Sequence, residues 1–176
     1  MTLYPFQQKG LEDTEGLNRV AYYWDMGTGK TFVGAEKMHR LDTRVNLVIC
    51  QKSKVEDWEE HFLTNYPELI YVLTDKKTLE KFLDCVENGA PFQKNIVGII
   101  NYDLVFRRPE LATLTDFTLL LDESSLIQNE TAKRSKFILN KLKPKNVILL
   151  SGTPTGGKYE NLWSQLHLLG WGISKD

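Results

Sequence analysis

Residues 25–31 read Asp-Met-Gly-Thr-Gly-Lys-Thr and stand between a short apolar segment and a segment that favours a helix. Glycines at positions 27 and 29 allow the backbone to turn so tightly that successive N–H groups point at one anion, which a Cβ would obstruct. A helix that begins near Lys30 adds the positive end of its dipole at the same place. The run therefore predicts a strand, a nucleotide-phosphate loop and a helix in succession.

The residues of this loop have separate predicted roles. The Lys30 ammonium would reach the β- and γ-phosphates of ATP, and the Thr31 hydroxyl would bind Mg²⁺. Trp24 stands where the full pattern has a further glycine, and we interpret it as a packing residue at the strand end. The predicted nucleotide-binding set in this loop is Met26, Gly27, Thr28, Gly29, Lys30 and Thr31.

Length and composition exclude several classes of protein. A chain of 176 residues that is 41% apolar has the size of one domain with a sizeable core. A formal net charge of −1 excludes a global basic field, so any contact with nucleic acid has to come from local patches. Two cysteines without Cys-x-x-Cys spacing argue against a metal cage or a disulfide framework. We expect a soluble, cytoplasmic protein with no membrane partner.

Short apolar segments alternate with helical patterns along the chain, which is typical of a parallel sheet with helices on both faces. Predicted strands cover residues 20–24, 45–50, 69–73, 95–100, 117–121 and 147–150. Predicted helices cover residues 31–38, 53–65 with a capping box at Ser53 and Glu56, 79–87, 102–107, 132–142 and 160–169. We therefore expect an α/β fold, a P-loop NTPase domain whose mostly parallel sheet has about six or seven strands.

The strand predicted at residues 117–121 ends in two carboxylates, Asp122 and Glu123. Ligands of open α/β sheets bind at the carboxyl ends of the strands, where these side chains would lie. Asp122 would hold Mg²⁺, and Glu123 would orient and deprotonate an attacking water. An alternative is that residues 122–125 only cap the next turn.

The last predicted strand leads into Ser151-Gly-Thr-Pro154 at the same edge of the sheet. The hydroxyls of Ser151 and Thr153 would couple the site to the rest of the protein, by sensing the γ-phosphate or by bonding the metal-bound carboxylates. Taken alone, the tetrapeptide is an ordinary turn.

These segments, in this order, resemble the N-terminal RecA-like lobe of superfamily 2 helicases and translocases, closest to its Snf-type and DEAD/DEAH-like branch. Residues 25–31, 121–125 and 151–154 resemble motifs I, II and III of that family. Residues 3–10 resemble the Q motif, which implies that Gln7 contacts adenine. Residues 47–53, followed by Trp58, are similar to motif Ia, and residues 99–102 to motif Ib.

The resemblance implies ATP hydrolysis coupled to movement on nucleic acid, with ATP and Mg²⁺ as cofactors and DNA favoured over RNA as the track. It implies catalytic roles for Glu123, Lys30 and Asp122. Motifs Ia and Ib contact one nucleic-acid strand in the family, and basic or hydroxyl side chains follow both strand ends here. The predicted contacts are Lys52, Ser53, Lys54, Tyr102, Arg107 and Arg108.

The chain departs from the family pattern at three points. Its motif II reads Asp-Glu-Ser-Ser, which argues against strict DEAD-box RNA unwinding. Cys50 stands in motif Ia where proline is common, which weakens the inference of nucleic-acid contacts there. A second RecA-like lobe, which carries the arginine fingers of the family, is expected to be missing from residues 1–176.

Two other functions remain open at this point. One is an ATP-binding regulatory or interaction module without motor activity. The other is a small P-loop phosphotransferase, although the adjacent carboxylates Asp122 and Glu123 favour water as the nucleophile. We also interpret Trp58 as a core aromatic residue of its helix.

Overall fold

The computed structural model describes residues 3–22, 29–127 and 132–152. Several predictions lie outside these residues: the packing role of Trp24, the loop residues Met26, Gly27 and Thr28, the coupling residue Thr153, and the helix at residues 160–169.

Six parallel strands form one sheet within the described ranges. They are β1 (Arg19–Tyr22), β2 (Val45–Cys50), β3 (Leu69–Val72), β4 (Ile96–Asn101), β5 (Thr118–Asp122) and β6 (Asn146–Leu150), in the order β1-β6-β5-β2-β4-β3. Strands β2, β4, β5 and β6 are buried along their whole length, as strands covered on both faces should be. The predicted α/β fold with a parallel sheet is confirmed.

Six helices accompany the strands in the part of the chain that is described. They are α1 (Pro5–Asp13), α2 (Lys30–Leu41), α3 (Val55–Asn65), α4 (Lys76–Asn88), α5 (Tyr102–Val105) and α6 (Lys133–Asn140). Short 3-10 turns occur at Lys52–Lys54, Pro91–Gln93, Pro109–Thr113 and Ser124–Ile127. None of the helices described here is long and apolar enough to span a bilayer.

The sequence analysis did not predict helix α1. The helix begins with a proline, whose missing N–H costs nothing at that position, and the Gln7 side chain accepts a hydrogen bond from the Tyr4 N–H at 2.7 Å. This contact satisfies a backbone donor at the helix start and holds the Gln7 side chain at that end of the helix.

The two faces of the sheet carry separate hydrophobic clusters. Val48 and Leu150 pack with the α2 and α3 side chains Val33 and Phe62, while Leu47 and its neighbours pack with α4, α5 and α6. Helix α2 approaches the sheet closely at Gly34, where a Cβ would lie 2.7 Å from the Leu150 side chain. The helix that follows the phosphate loop is thus held tightly against β6.

The predicted capping box at Ser53 and Glu56 is wrong. Ser53 is exposed in the 3-10 turn before α3, and the residue at the helix N-cap is Lys54, whose side chain makes no capping bond. The predicted start of the next helix at Leu79 is three residues late, because the Asp75 carboxylate caps the helix by accepting from the Thr78 N–H at 3.1 Å.

Strand register places the functional segments at one edge of the sheet. Tyr22 at the end of β1 pairs with Leu150 of β6, and Leu150 pairs with Asp122 of β5. The Ser151 N–H then donates to the Tyr22 carbonyl at 3.2 Å. Since the six described strands run in one direction, the carboxyl ends of β1, β6 and β5 lie side by side.

Candidate functional site

The turn before α2 needs a glycine for two reasons. Gly29 has a φ of 75°, in the left-handed region, and a Cβ there would clash with the buried side-chain amide of Gln7. The Gln7 amide donates to the Gly29 carbonyl at 3.3 Å, and its side chain is fully buried. The Gln7 side chain therefore stabilises the turn at Gly29 through this hydrogen bond. The predicted contact between Gln7 and adenine stays a prediction.

Lys30 and Glu123 meet across the edge of the sheet. The Lys30 Nζ atom lies 3.4 Å from the Glu123 Oε1 atom, although the two residues are 93 positions apart in the chain. Lys30 is the first residue of α2, and Glu123 is the first residue after β5. The structure thus brings together the two segments that the sequence assigns to phosphate and to catalysis.

The backbone at Glu123 adopts a conformation that L-residues rarely use. Its φ is 53°, and the Glu123 carbonyl accepts from the Leu126 N–H at 2.9 Å as the chain enters the turn Ser124–Ile127. A non-glycine residue in this region costs of order 1–3 kcal/mol, and such strain is common at functional sites. This strained turn thus follows directly after the carboxylate of Asp122 at the end of β5.

Asp122 is buried at the end of β5, where the Trp58 indole N–H donates to its Oδ2 atom at 2.9 Å. The Tyr102 hydroxyl donates to the Asp122 backbone carbonyl at 2.7 Å. Burial raises the pKa of the Asp122 carboxyl above its ordinary value, and the Glu123 charge adds to this effect. The Trp58 hydrogen bond and the Lys30 charge oppose it.

A pocket of about 450 Å³ connects these groups. Its volume lies within the range of small-ligand sites, and its lining includes two lysines, three carboxylates and the Thr31 hydroxyl within one concave surface. The donor set fits a nucleotide with its magnesium ion, because Lys30 and the start of α2 suit phosphate while Thr31 and Asp122 supply the oxygens that Mg²⁺ prefers. The lining residues are Gly29, Lys30, Thr31, Gln51, Lys54, Asp57, Trp58, Asp122 and Glu123.

Ser151 lies beside this site at the end of β6. The residue is fully buried, and its Oγ atom has no hydrogen-bond partner among the residues described. Burying a hydroxyl without a hydrogen-bond partner costs free energy, so binding of a group that forms a hydrogen bond with the Ser151 Oγ atom would be favoured. This placement is compatible with the coupling role predicted for Ser151.

The predicted nucleic-acid residues fall into two sets. Lys52, Ser53, Lys54 and Arg107 are exposed, whereas Tyr102 and Arg108 are buried. The Arg108 guanidinium donates to the Thr74 carbonyl at 3.0 Å, and Tyr102 is engaged with Asp122. Because the polar atoms of these two residues face protein groups, we do not carry them forward as nucleic-acid contacts.

Two residues in or next to the segment that resembles motif Ia lie in different surroundings: Lys54 lines the pocket, and Cys50 lies in the core. Lys54 lines the pocket of about 450 Å³, with its Nζ atom 3.9 Å from the Asp57 carboxylate. Cys50 is fully buried, and burial raises the pKa of its thiol to about 12. The Cys50 side chain is therefore part of the core and is not accessible for contact with nucleic acid.

Sequence reasoning missed the contact between Trp58 and Asp122. Trp58 is 1% exposed, which confirms it as a core aromatic residue. Its indole N–H also donates a hydrogen bond to the Asp122 carboxylate of the site. The available signal was a tryptophan near the start of the helix that follows β2. Using that signal requires knowing that β2 lies beside β5, and strand order is not readable from the residues.

Curated relatives match most of this chain. A chromatin-remodeling ATPase INO80 of Candida albicans is 28% identical over 193 residues, covering 96% of this chain and 13% of that protein. A probable ATP-dependent DNA helicase CHR12 of Arabidopsis thaliana is 29% identical over 124 residues, covering 70% of this chain and 11% of that protein. The chain thus spans only a small part of the length of these relatives.

A solved structure shows the same architecture. The Sulfolobus solfataricus SWI2/SNF2 ATPase core in complex with dsDNA superposes with a TM-score of 0.81 and 27% identity, covering 100% of this chain and 37% of that one. The family model described as the SNF2-related domain matches residues 15–176. The chain therefore belongs to the SNF2-related domain family, and it is an N-terminal RecA-like lobe of the Snf-type branch of superfamily 2.

Proposed function

We propose that this chain is the ATP-binding lobe of an ATP-dependent DNA translocase or helicase. One observation carries the proposal: Lys30 lies 3.4 Å from Glu123 across a pocket that also contains Thr31 and Asp122. The phosphate-binding and hydrolytic groups therefore share one concave site. Support also comes from relatives that are named as ATPases and from a structural neighbour that was solved with double-stranded DNA.

Each side chain has a distinct task in this proposal. Lys30 binds the β- and γ-phosphates, and the N–H groups at the start of α2 hold the same oxygens. Thr31 and Asp122 hold the magnesium ion, which would neutralise charge on the transferred phosphoryl group. Glu123 orients a water for in-line attack and accepts its proton.

Replacing Lys30 by alanine is expected to weaken ATP binding. The substitution removes charge-assisted phosphate contacts worth about 1.5–3 kcal/mol each, so the Kd for ATP should rise at least about tenfold. Isothermal titration of Mg·ATP into both proteins measures the change. Lys145→Ala is the matched control, since it removes an equal charge from an exposed residue just before β6, at the opposite edge of the sheet. Equal affinities for the parent and Lys30→Ala would contradict the assignment.

The proposed DNA surface lies at the carboxyl ends of β2 and β4. Lys52 is exposed in a cleft of about 410 Å³ that also contains Thr74 and Asn101. Arg107 is exposed after α5, with its guanidinium 5.2 Å from the centre of the Phe106 ring. Lys52 and Arg107 supply the positive charge that suits phosphate contacts. Phosphate contacts carry no sequence information, so we expect little sequence preference.

The double variant Lys52→Ala with Arg107→Ala is expected to bind DNA more weakly and with a flatter salt dependence. Each lost phosphate contact should reduce the slope of log K against log [salt] by about 1. Fluorescence anisotropy with single-stranded and duplex DNA at several salt concentrations measures both quantities. The control is Lys94→Ala with Lys145→Ala, two exposed lysines that precede β4 and β6 at the other edge. A slope unchanged from the parent would remove Lys52 and Arg107 from the surface.

A second RecA-like lobe completes the motor in this proposal, and it would supply the arginine that stabilises the transition state. The alternative of a regulatory ATP-binding module predicts nucleotide binding without DNA-stimulated hydrolysis after such a lobe is added. Membership of the SNF2-related family gives no support to a small phosphotransferase. The cytoplasmic location stays a prediction.

A further inference from the structure

Two buried aromatic residues donate hydrogen bonds to Asp122. Trp58 of α3 bonds the carboxylate at 2.9 Å, and Tyr102 of α5 bonds the backbone carbonyl at 2.7 Å. The two residues are 1% and 2% exposed, respectively. Water therefore competes little with either bond, and the position of Asp122 depends on groups from two separate helices.

The Trp58 donor is itself fixed by packing. Its ring stacks on Phe62 of the same helix, with 5.9 Å between ring centres, and both residues belong to the cluster on the α2 and α3 face of the sheet. An indole has one N–H in a fixed direction, and a ring locked in the core cannot turn to another acceptor. The bond therefore selects one orientation of the Asp122 carboxylate.

We propose that Trp58 is a positioning residue for the magnesium ion. By occupying the Oδ2 atom of Asp122, its N–H leaves the Oδ1 atom as the oxygen for the cation in the pocket that Trp58 and Asp122 both line. Groups that hydrogen-bond a metal-ligating side chain fix its orientation, and losing one typically costs about 10- to 100-fold in metal affinity. The inference rests on the proposed function, in which Asp122 holds Mg²⁺.

The test separates the N–H from the ring. Trp58 is replaced by 3-benzothienylalanine, which retains the bicyclic shape but has sulfur in place of the N–H, and in a second protein by Trp58→Phe. The Kd of ATP is measured by titration calorimetry once with Mg²⁺ and once with EDTA. We expect the Mg²⁺ enhancement of ATP affinity, which is the ratio of the Kd in EDTA to the Kd with Mg²⁺, to fall about tenfold or more in both variants. Any change of the Kd in EDTA should be smaller than this fall.

Phe82→Leu is the matched control, because it changes buried aromatic packing on the other face of the sheet and leaves Trp58 and its bond to Asp122 in place. We expect it to lower the melting temperature and to leave the Mg²⁺ enhancement unchanged. An enhancement equal to the parent's in the benzothienylalanine protein would overturn the positioning role and leave the proposed function intact. A parent protein that binds ATP in neither buffer would overturn the proposed function, and the positioning role with it.

Discussion

Joining the chain to a second RecA-like lobe of an SNF2-related protein is expected to raise ATP turnover about 10³- to 10⁵-fold, because an arginine finger contributes that much to phosphoryl transfer. That factor corresponds to about 4–7 kcal/mol of barrier. Among the residues that the structure describes, the lining of the pocket of about 450 Å³ includes Lys30 and Lys54 but no arginine. A preparation of residues 1–176 alone should therefore bind ATP and hydrolyse it very slowly.

A steady-state phosphate-release assay, with and without DNA, measures this effect. The fused protein should respond to DNA, and the control is the same fusion with the arginines of the last motif of the added lobe replaced by alanine. That control should return turnover to the level of the single lobe. Hydrolysis by residues 1–176 alone at about 1 s⁻¹ or faster would contradict the account, since the site would then be complete without a second lobe.

The second large effect concerns the catalytic carboxylate. In the two-lobe protein, Glu123→Gln should lower turnover at least about 100-fold, because an amide cannot accept the proton of the attacking water. Binding of Mg·ATP should be nearly unchanged, since Lys30, Thr31 and Asp122 are retained. Turnover and Kd measured on the same preparation separate the two roles.

Glu80→Gln serves as the control for this substitution. Glu80 is an exposed residue of α4 and lines a different surface, so the same change of charge there should alter neither turnover nor affinity. If Glu123→Gln retains the turnover of the parent, the residue that activates water has to be sought elsewhere in the site.

The fold was predictable because its signals are local. Strand β2 has the predicted bounds, and the ends of β4, β5 and β6 differ from the predicted ends by one residue or none. Buried parallel strands are nearly continuous apolar runs, so each can be read without knowledge of its neighbours. Helix α1 was missed because Gln7 and Tyr4, rather than an apolar pattern, define its start.

The site was predictable only in part. Motif spacing indicated Lys30, Asp122 and Glu123, whose positions follow from the strand ends. The roles of Trp58 and Tyr102 depend on which strands are neighbours in the sheet. That strand order cannot be read directly from the sequence. The inward direction of Arg108 likewise depends on carbonyl groups at the end of β3, which lie 34 or 35 positions away in the chain.

A crystal structure of the chain with Mg²⁺ and a non-hydrolysable ATP analogue tests the central claim most directly. We expect the triphosphate in the pocket between Lys30 and Glu123, with the metal ion bound by Thr31 and Asp122. A nucleotide bound at any other surface, or a structure in which these four side chains contact neither phosphate nor metal, would contradict the account.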